Sequence, residues 1–164
     1  TYKKEVKEAK PLEFIIREAT KKDLPLMAVL FRDAFRAAPW CDHWTLETAQ
    51  RRLGTYLDHP RAFSLSLWEG DTLLGFLLGE IEQYDQLEQF LLREIAVSPA
   101  RRGQGIGKLL YETAENRLKQ EGIHKVELVT LSAEKTRGFY EALGFHVERD
   151  MIIMKKRLSK EEEV

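Results

Sequence analysis

Residues 93–110, REIAVSPARRGQGIGKLL, constrain this chain more than any other stretch. A mostly apolar run over residues 91–97 is halted by Ser98 and Pro99, crosses a basic, glycine-rich turn, and enters apolar residues at helical spacing. The pattern predicts a strand, a tight loop and a helix that begins near Gly107. Gly103, Gly105 and Gly107 carry no side chains, so backbone N–H groups can come close to a ligand and the loop can take positive φ angles. The start of a helix adds unpaired N–H groups and a dipole end that favours negative charge. With Arg101, Arg102 and Lys108 alongside, the expected ligand is a phosphate or pyrophosphate.

Two well-known phosphate loops do not fit. A Walker A loop needs glycine five positions before its Gly-Lys pair, where Arg102 stands, and Ser or Thr where Leu109 stands. A dinucleotide GxGxxG starting at Gly103 would put its third glycine at Lys108, and no second strand with a ribose-binding acid follows in the right place.

The loop Arg102-Gly103-Gln104-Gly105-Ile106-Gly107 instead resembles the Arg/Gln-x-x-Gly-x-Gly/Ala signature of the GNAT family of acetyl-CoA-dependent N-acetyltransferases. The preceding Ile95-Ala96-Val97-Ser98-Pro99 looks like that family's cofactor-binding strand, and Gly138-Phe139-Tyr140-Glu141-Ala142-Leu143-Gly144-Phe145 like its C-terminal helix and turn. A family-like opening, Ile16-Arg17-Glu18-Ala19-Thr20-Lys21-Lys22-Asp23, extends the resemblance over nearly the whole chain. It implies a single α/β domain over residues 1–164: a mixed, mostly antiparallel sheet flanked by about four helices, with strands splayed beside the acetyl-CoA loop.

The same resemblance implies the site. Backbone groups of Ile95 and Val97 would pair with the pantetheine chain as though it were another strand, and Ala96 between them would also belong to the cofactor-binding stretch. Residues Arg102, Gly103, Gln104, Gly105, Ile106, Gly107 and Lys108 would hold the pyrophosphate. Tyr140 matches the family tyrosine near the sulfur, often assigned as general acid. Many relatives carry asparagine seven residues before that tyrosine; here the position is Ala133, with Ser132 as the nearest polar neighbour.

Acetyl transfer to an amine needs a neutral nucleophile, so the incoming ammonium must lose a proton while the departing thiolate gains one. Glu94, next to Ile95, and Glu80, on the neighbouring strand, are the candidates for the base, with water as a further option. The N–H of Ile95 is a candidate donor to the thioester carbonyl. An acceptor pocket is expected from Trp40, Trp44 and Tyr84 as apolar walls and Asp42, Glu80 and Asp85 as attractors of a cation. The acceptor is then a small-molecule primary amine. A protein lysine or N-terminus stays open, as does a non-catalytic acyl-CoA-binding module.

The rest of the sequence narrows the alternatives. A chain of 164 residues suits one domain. Its net charge of -1 offers no general footprint for nucleic acid. Cys41 is the only cysteine, so no intrachain disulfide forms, and a reduced, partly packed thiol is expected. No signal-peptide pattern or membrane-length apolar run is visible, which points to the cytoplasm and away from a membrane. His43, His59, His124 and His146 are scattered without metal-ligand spacing, so no metal site is expected. A homodimer is left open.

In chain order, residues 1–10 and 159–164 read as loose, charged ends, and residues 12–17 as a strand. Either Thr20 and Asp23 form a variant of the capping box or Asp23 itself is the N-cap, with Pro25 in the first turn, of a helix whose buried face is Met27, Leu30, Phe31 and Ala34. An aromatic loop over residues 37–45 leads from Thr45 into a second helix through Ala49, Leu53 and Leu57. Strands follow over residues 62–68 and from Thr72 towards Tyr84, joined by a Glu69-Gly70-Asp71 hairpin. A polar turn at residues 85–89 returns the chain to the strand ending at Val97. The helix after the loop should bury Ile106, Leu110, Thr113, Ala114 and Leu118 and close at Gly122. Residues 126–131 read as a strand parallel to the one before that helix. Ser132 or Thr136 should start a last helix ending at Gly144, and residues 145–158 one long strand or two short ones.

Overall fold

The computed structural model describes residues 13–161, so the expectations for residues 1–12 and 162–164 lie outside the described residues. Five strands form one sheet in the order β1 (Phe14–Arg17), β2 (Ala62–Glu69), β3 (Thr72–Tyr84), β4 (Leu87–Val97), β5 (Lys125–Leu128). The first four run antiparallel to their neighbours, and β5 runs parallel to β4. Helices α1 (Leu24–Arg36) and α2 (Leu46–Leu57) pack on one face, and α3 (Ile106–Gln120) covers the other, with α4 (Glu134–Ala142) contributing Tyr140 beside it.

The caps follow the local sequence. Asp23 accepts from the Thr20 N–H at 2.9 Å and from the Arg17 guanidinium at 3.1 Å, so its buried carboxylate is paired as it leads into α1. Thr45 accepts from the Thr48 N–H at 3.1 Å to open α2. Met27, Leu30, Phe31 and Ala34 are buried as their spacing requires. Gly70 and Asp71 form the tight turn between β2 and β3, with Gly70 at φ +56°.

The structure corrects several expectations. Strand β4 begins at Leu87, within the stretch read as a turn, because Gln89 is buried with its amide donating to Glu82 and Glu127. Strand β5 is paired only as far as Leu128. Tyr111 is buried on α3, whereas Thr113 is half-buried with its hydroxyl donating to the Leu109 carbonyl at 2.7 Å. Helix α4 is preceded by Ala133, not capped by Ser132 or Thr136, and Thr136 sits inside its first turn. Cys41 is exposed, not partly packed.

The largest departure concerns residues 145–158, which join no strand of the sheet. Phe145 packs its ring against Tyr111 and Tyr140, and the chain beyond it is exposed. Among the described residues, no helix is long and apolar enough to cross a membrane, and no group of three or more His, Cys, Asp or Glu gathers as a metal cluster.

Candidate active site

The loop between β4 and α3 presents its backbone. Gly103 and Gly105 both lie at φ +77°, a conformation open to glycine, and a side chain at either would meet only open space. The first hydrogen bond into α3 runs from the Leu109 N–H to the Gly105 carbonyl. Among the described residues, the N–H groups of residues 102–108 have no protein partner, which leaves a run of donors around a helix N-terminus.

Gly107 serves a different purpose from the other two glycines. A Cβ there would lie 3.2 Å from the Phe139 ring, so its absence lets α3 and α4 pack closely. The cations of the loop also divide. Arg101 makes a paired contact with Glu69 at 3.0 and 3.1 Å and donates to Gln104 at 2.8 Å, so it braces the loop instead of waiting for a ligand. Arg102 donates to the Ala34 carbonyl at the end of α1 at 2.7 Å. Lys108 is exposed, 3.8 Å from Glu112.

Beside the loop, β4 has a bare edge. Its residues from Gln89 to Leu92 pair with β5, but the pairing stops there, while β3 continues alongside as far as Val97. This is the splay expected from the sequence. The backbone of Ile95, Ala96 and Val97 is therefore paired on one side only, and the free side opens next to the loop.

A bulge decides where the acids point. Leu78 pairs with Glu94 but Gly79 pairs with Leu92, so Arg93 is an extra residue on β4. Leu92 accordingly packs on the α3 side, and Glu94, two residues on, turns to the opposite face and meets α2. Gly79 is obligatory there, because a Cβ would lie 2.0 Å from the Leu91 carbonyl oxygen.

On that face Glu94 is 9% exposed and accepts from Arg52 Nε at 2.7 Å. Burial raises its pKa, Asp42 raises it further, and Arg52 and Arg93 only partly oppose the shift. Glu80 accepts on Oε1 from Arg93 at 2.6 and 2.8 Å, while its Oε2 is buried with no partner. Arg52 lies over the rings of Trp44 and Tyr56, and Arg93 over Tyr56. From the other face, the Tyr140 phenol is pushed above the usual tyrosine range, first by burial and then by the negative charge of Glu94. Thr136, one helical turn before Tyr140, has a buried hydroxyl with no partner.

A cleft of about 390 Å³ is lined by Trp44, Thr48, Arg51, Arg52, Thr55 and Tyr56. The sequence reading missed its α2 residues, although Thr48, Arg51, Arg52 and Thr55 repeat on one helix face after Trp44. Trp44 walls the cleft and anchors the core edge-on to Phe31, its indole donating to Asp42 at 3.0 Å. Trp40 packs edge-on to Phe35 and is not part of the lining. Tyr84 and Asp85 are not brought to this place: they stand at the β3–β4 hairpin, six and seven residues beyond Leu78, about 20 Å along the strand. There Lys125 lies 5.2 Å above the Tyr84 ring. Ser132 is exposed just before α4.

Comparison with known proteins agrees with this geometry. The model of the acetyltransferase (GNAT) family matches residues 24–145. A [ribosomal protein bS18]-alanine N-acetyltransferase of Haemophilus influenzae is 28% identical over 103 residues, covering 63% of this chain and 64% of the relative. An uncharacterized N-acetyltransferase of Chlorobaculum tepidum is 27% identical over 100 residues, covering 58% and 57%. The matches thus span about six-tenths of the length of these curated relatives. Among solved structures, an aminoglycoside N-acetyltransferase in complex with CoA superposes with a TM-score of 0.70 at 20% identity, covering 88% of this chain and 95% of that one. A protein of Bacillus halodurans described as a transcriptional regulator gives 0.72 at 24% identity, covering 88% and 100%.

Proposed function

The chain belongs to the acetyltransferase (GNAT) family, and from that premise we propose that it moves the acetyl group of acetyl-CoA directly to the primary amine of a small molecule. The observation that carries this reading is the run of unpartnered N–H groups over residues 102–108, set beside a β4 edge that β5 leaves bare. Such a cradle suits a diphosphate, and such an edge suits an extended, amide-bearing chain.

Acetyl-CoA supplies an acetyl group already activated as a thioester. The amides of Arg102, Gly103, Gln104, Gly105, Ile106, Gly107 and Lys108 hold the diphosphate, Ile95 and Val97 pair with pantetheine on either side of Ala96, whose own backbone groups face β3, and Ser132 and the orphaned Thr136 hydroxyl border it from the α4 side. Glu94 takes the proton from the incoming ammonium. Its raised pKa makes it a stronger base than an ordinary carboxylate, and Asp42 adds negative charge near it. The N–H of Ile95 donates to the acetyl carbonyl. Tyr140 stays protonated and donates its hydrogen to the departing sulfur.

The acceptor enters over the cleft of Trp44, Arg52 and Tyr56. The structural likeness to an aminoglycoside N-acetyltransferase supports a small amine. A second reading, a protein N-terminus as acceptor, is favoured by the likeness to the bS18-alanine enzyme. Release of free thiol from acetyl-CoA tests both, using a panel of small amines that includes aminoglycosides and a peptide beginning with alanine. Turnover with a small amine is expected. Turnover with the peptide alone would select the second reading, and none with any acceptor would leave a non-catalytic acyl-CoA-binding module.

A further inference from the structure

The arginines beside the cleft are not equally engaged. Arg93 spends Nε and Nη2 on Glu80, and Arg51 spends Nη2 on Glu47 at 2.8 Å. Arg52 gives Glu94 only its Nε, so among the described residues both of its terminal nitrogens are left without an acceptor. Its guanidinium is held in place all the same, 5.5 Å from the centroid of the Trp44 ring and 5.4 Å from that of Tyr56, where its side chain, 42% exposed, lines the cleft.

Glu94 is engaged in the same one-sided way. Its Oε1 accepts from Arg52, while its Oε2 has no hydrogen bond among the described residues and, unlike the orphaned Oε2 of Glu80, is not sealed from solvent. A fork of donors and a free acceptor therefore stand side by side, on two groups that touch. The complement of a touching cation and anion is another close pair: an ammonium for Glu94 and a carboxylate for Arg52, on neighbouring atoms of one small molecule.

On the reading that Glu94 receives the acceptor amine, we propose that the acceptor is a free α-amino acid, its carboxylate bound by the two terminal nitrogens of Arg52. A planar guanidinium with both Nη groups free meets a carboxylate in two parallel hydrogen bonds, and the aromatic rings fix its plane. The surrounding charges suit a zwitterion. Arg51, Arg52 and Arg93 are each set against a glutamate, Asp42 is turned to the Trp44 indole, and no carboxylate lines the cleft itself. A polycation would lay its charge against Arg51 and Arg52, and a peptide N-terminus lacks the adjoining carboxylate and would leave the fork empty. The products are an N-acetyl amino acid and free coenzyme A. The N–C bond forms as the thioester C–S bond breaks; of the two protons the nitrogen gives up, one leaves through Glu94 and the other replaces the one that Tyr140 passes to sulfur.

The test is thiol release from acetyl-CoA with a panel of α-amino acids, each beside its carboxamide and its decarboxylated amine, compared at equal concentrations of neutral amine. At least one amino acid should exceed both analogues in kcat/KM by about 10- to 100-fold, the worth of a charged hydrogen-bonded pair. Arg52→Lys, which keeps the charge and loses the fork, and Arg52→Ala should both bring that ratio towards unity. A change in the Glu94 pKa alone would alter all the rates together and leave the ratio intact. Analogues used as well as the amino acids would overturn the proposal and leave acetyl transfer standing. No turnover with any acceptor would instead count against the transfer reading, and calorimetry with coenzyme A bound then decides: an amino acid that binds no more tightly than its carboxamide overturns the proposal, and tighter binding that Arg52→Ala abolishes upholds it.

Discussion

Arg52 on α2 donates from Nε to Oε1 of Glu94 on β4 at 2.7 Å, joining positions 42 residues apart. This contact fixes a buried carboxylate at the rim of the cleft, on the face that the β4 bulge turns towards α2. Arg52 draws the Glu94 pKa down, but burial wins and leaves it above the ordinary value of 4.5.

If Glu94 is the base, Glu94→Gln should lower kcat/KM by about 10²- to 10⁴-fold. The acid limb of the pH–rate profile should vanish with it. Arg52→Ala should keep that limb but move it to higher pH, since the partner that lowers the pKa is gone. A profile of kcat/KM against pH for the three proteins checks both outcomes, and an unchanged limb in Glu94→Gln would transfer the role to Glu80 or water.

The same shift has a consequence for stability. Because the folded-state pKa of Glu94 is raised, its favourable contribution is complete below the unfolded value and is lost as pH rises through the folded one. Urea unfolding of Glu94→Gln across that window should show a flatter dependence on pH than the parent protein.

Tyr140→Phe removes a hydroxyl but keeps the ring against Phe139 and Phe145. Turnover should fall by about 100-fold while acetyl-CoA affinity stays within a few-fold. Its raised pKa keeps the phenol protonated at working pH, so it holds its proton until negative charge builds on the departing sulfur. Thiol-release kinetics beside calorimetry separates the two effects, and equal rates would remove Tyr140 from the reaction.

Three glycines should respond differently to alanine. Gly79→Ala drives a Cβ into the Leu91 carbonyl and should cost about 3 kcal/mol or more. Gly107→Ala presses on Phe139 at 3.2 Å and should cost about 1 kcal/mol. Gly103→Ala meets open space, so its cost of about 1–2 kcal/mol comes from positive φ alone. Of the last two, it should be Gly103→Ala that weakens acetyl-CoA binding more. Denaturant titrations with and without acetyl-CoA resolve all three.

Local patterns made much of this legible in advance. The strand, loop and helix around Gly103 and Gly105 follow from one contiguous stretch, and α1 and α2 from caps and apolar spacing. What escaped depends on contacts distant in sequence. Nothing near Glu94 reveals Arg52, and alternation along β4 cannot show that an extra residue at Arg93 reverses the face of Glu94. Leu87 and Gln89 fall in a stretch that reads as a turn until Glu82 and Glu127 are seen to accept from the buried Gln89 amide nitrogen. Tyr84 and Asp85 have the chemistry of a pocket, but strand rise carries them to the far hairpin.

The central claim is that the backbone between β4 and α3 holds a diphosphate beside the bare edge of β4. A crystal structure with coenzyme A measures this directly. The diphosphate oxygens should lie about 2.7–3.2 Å from N–H groups of residues 102–108, with pantetheine alongside β4 beyond Leu92. A diphosphate bound elsewhere, or a loop left empty at saturating coenzyme A, would contradict it.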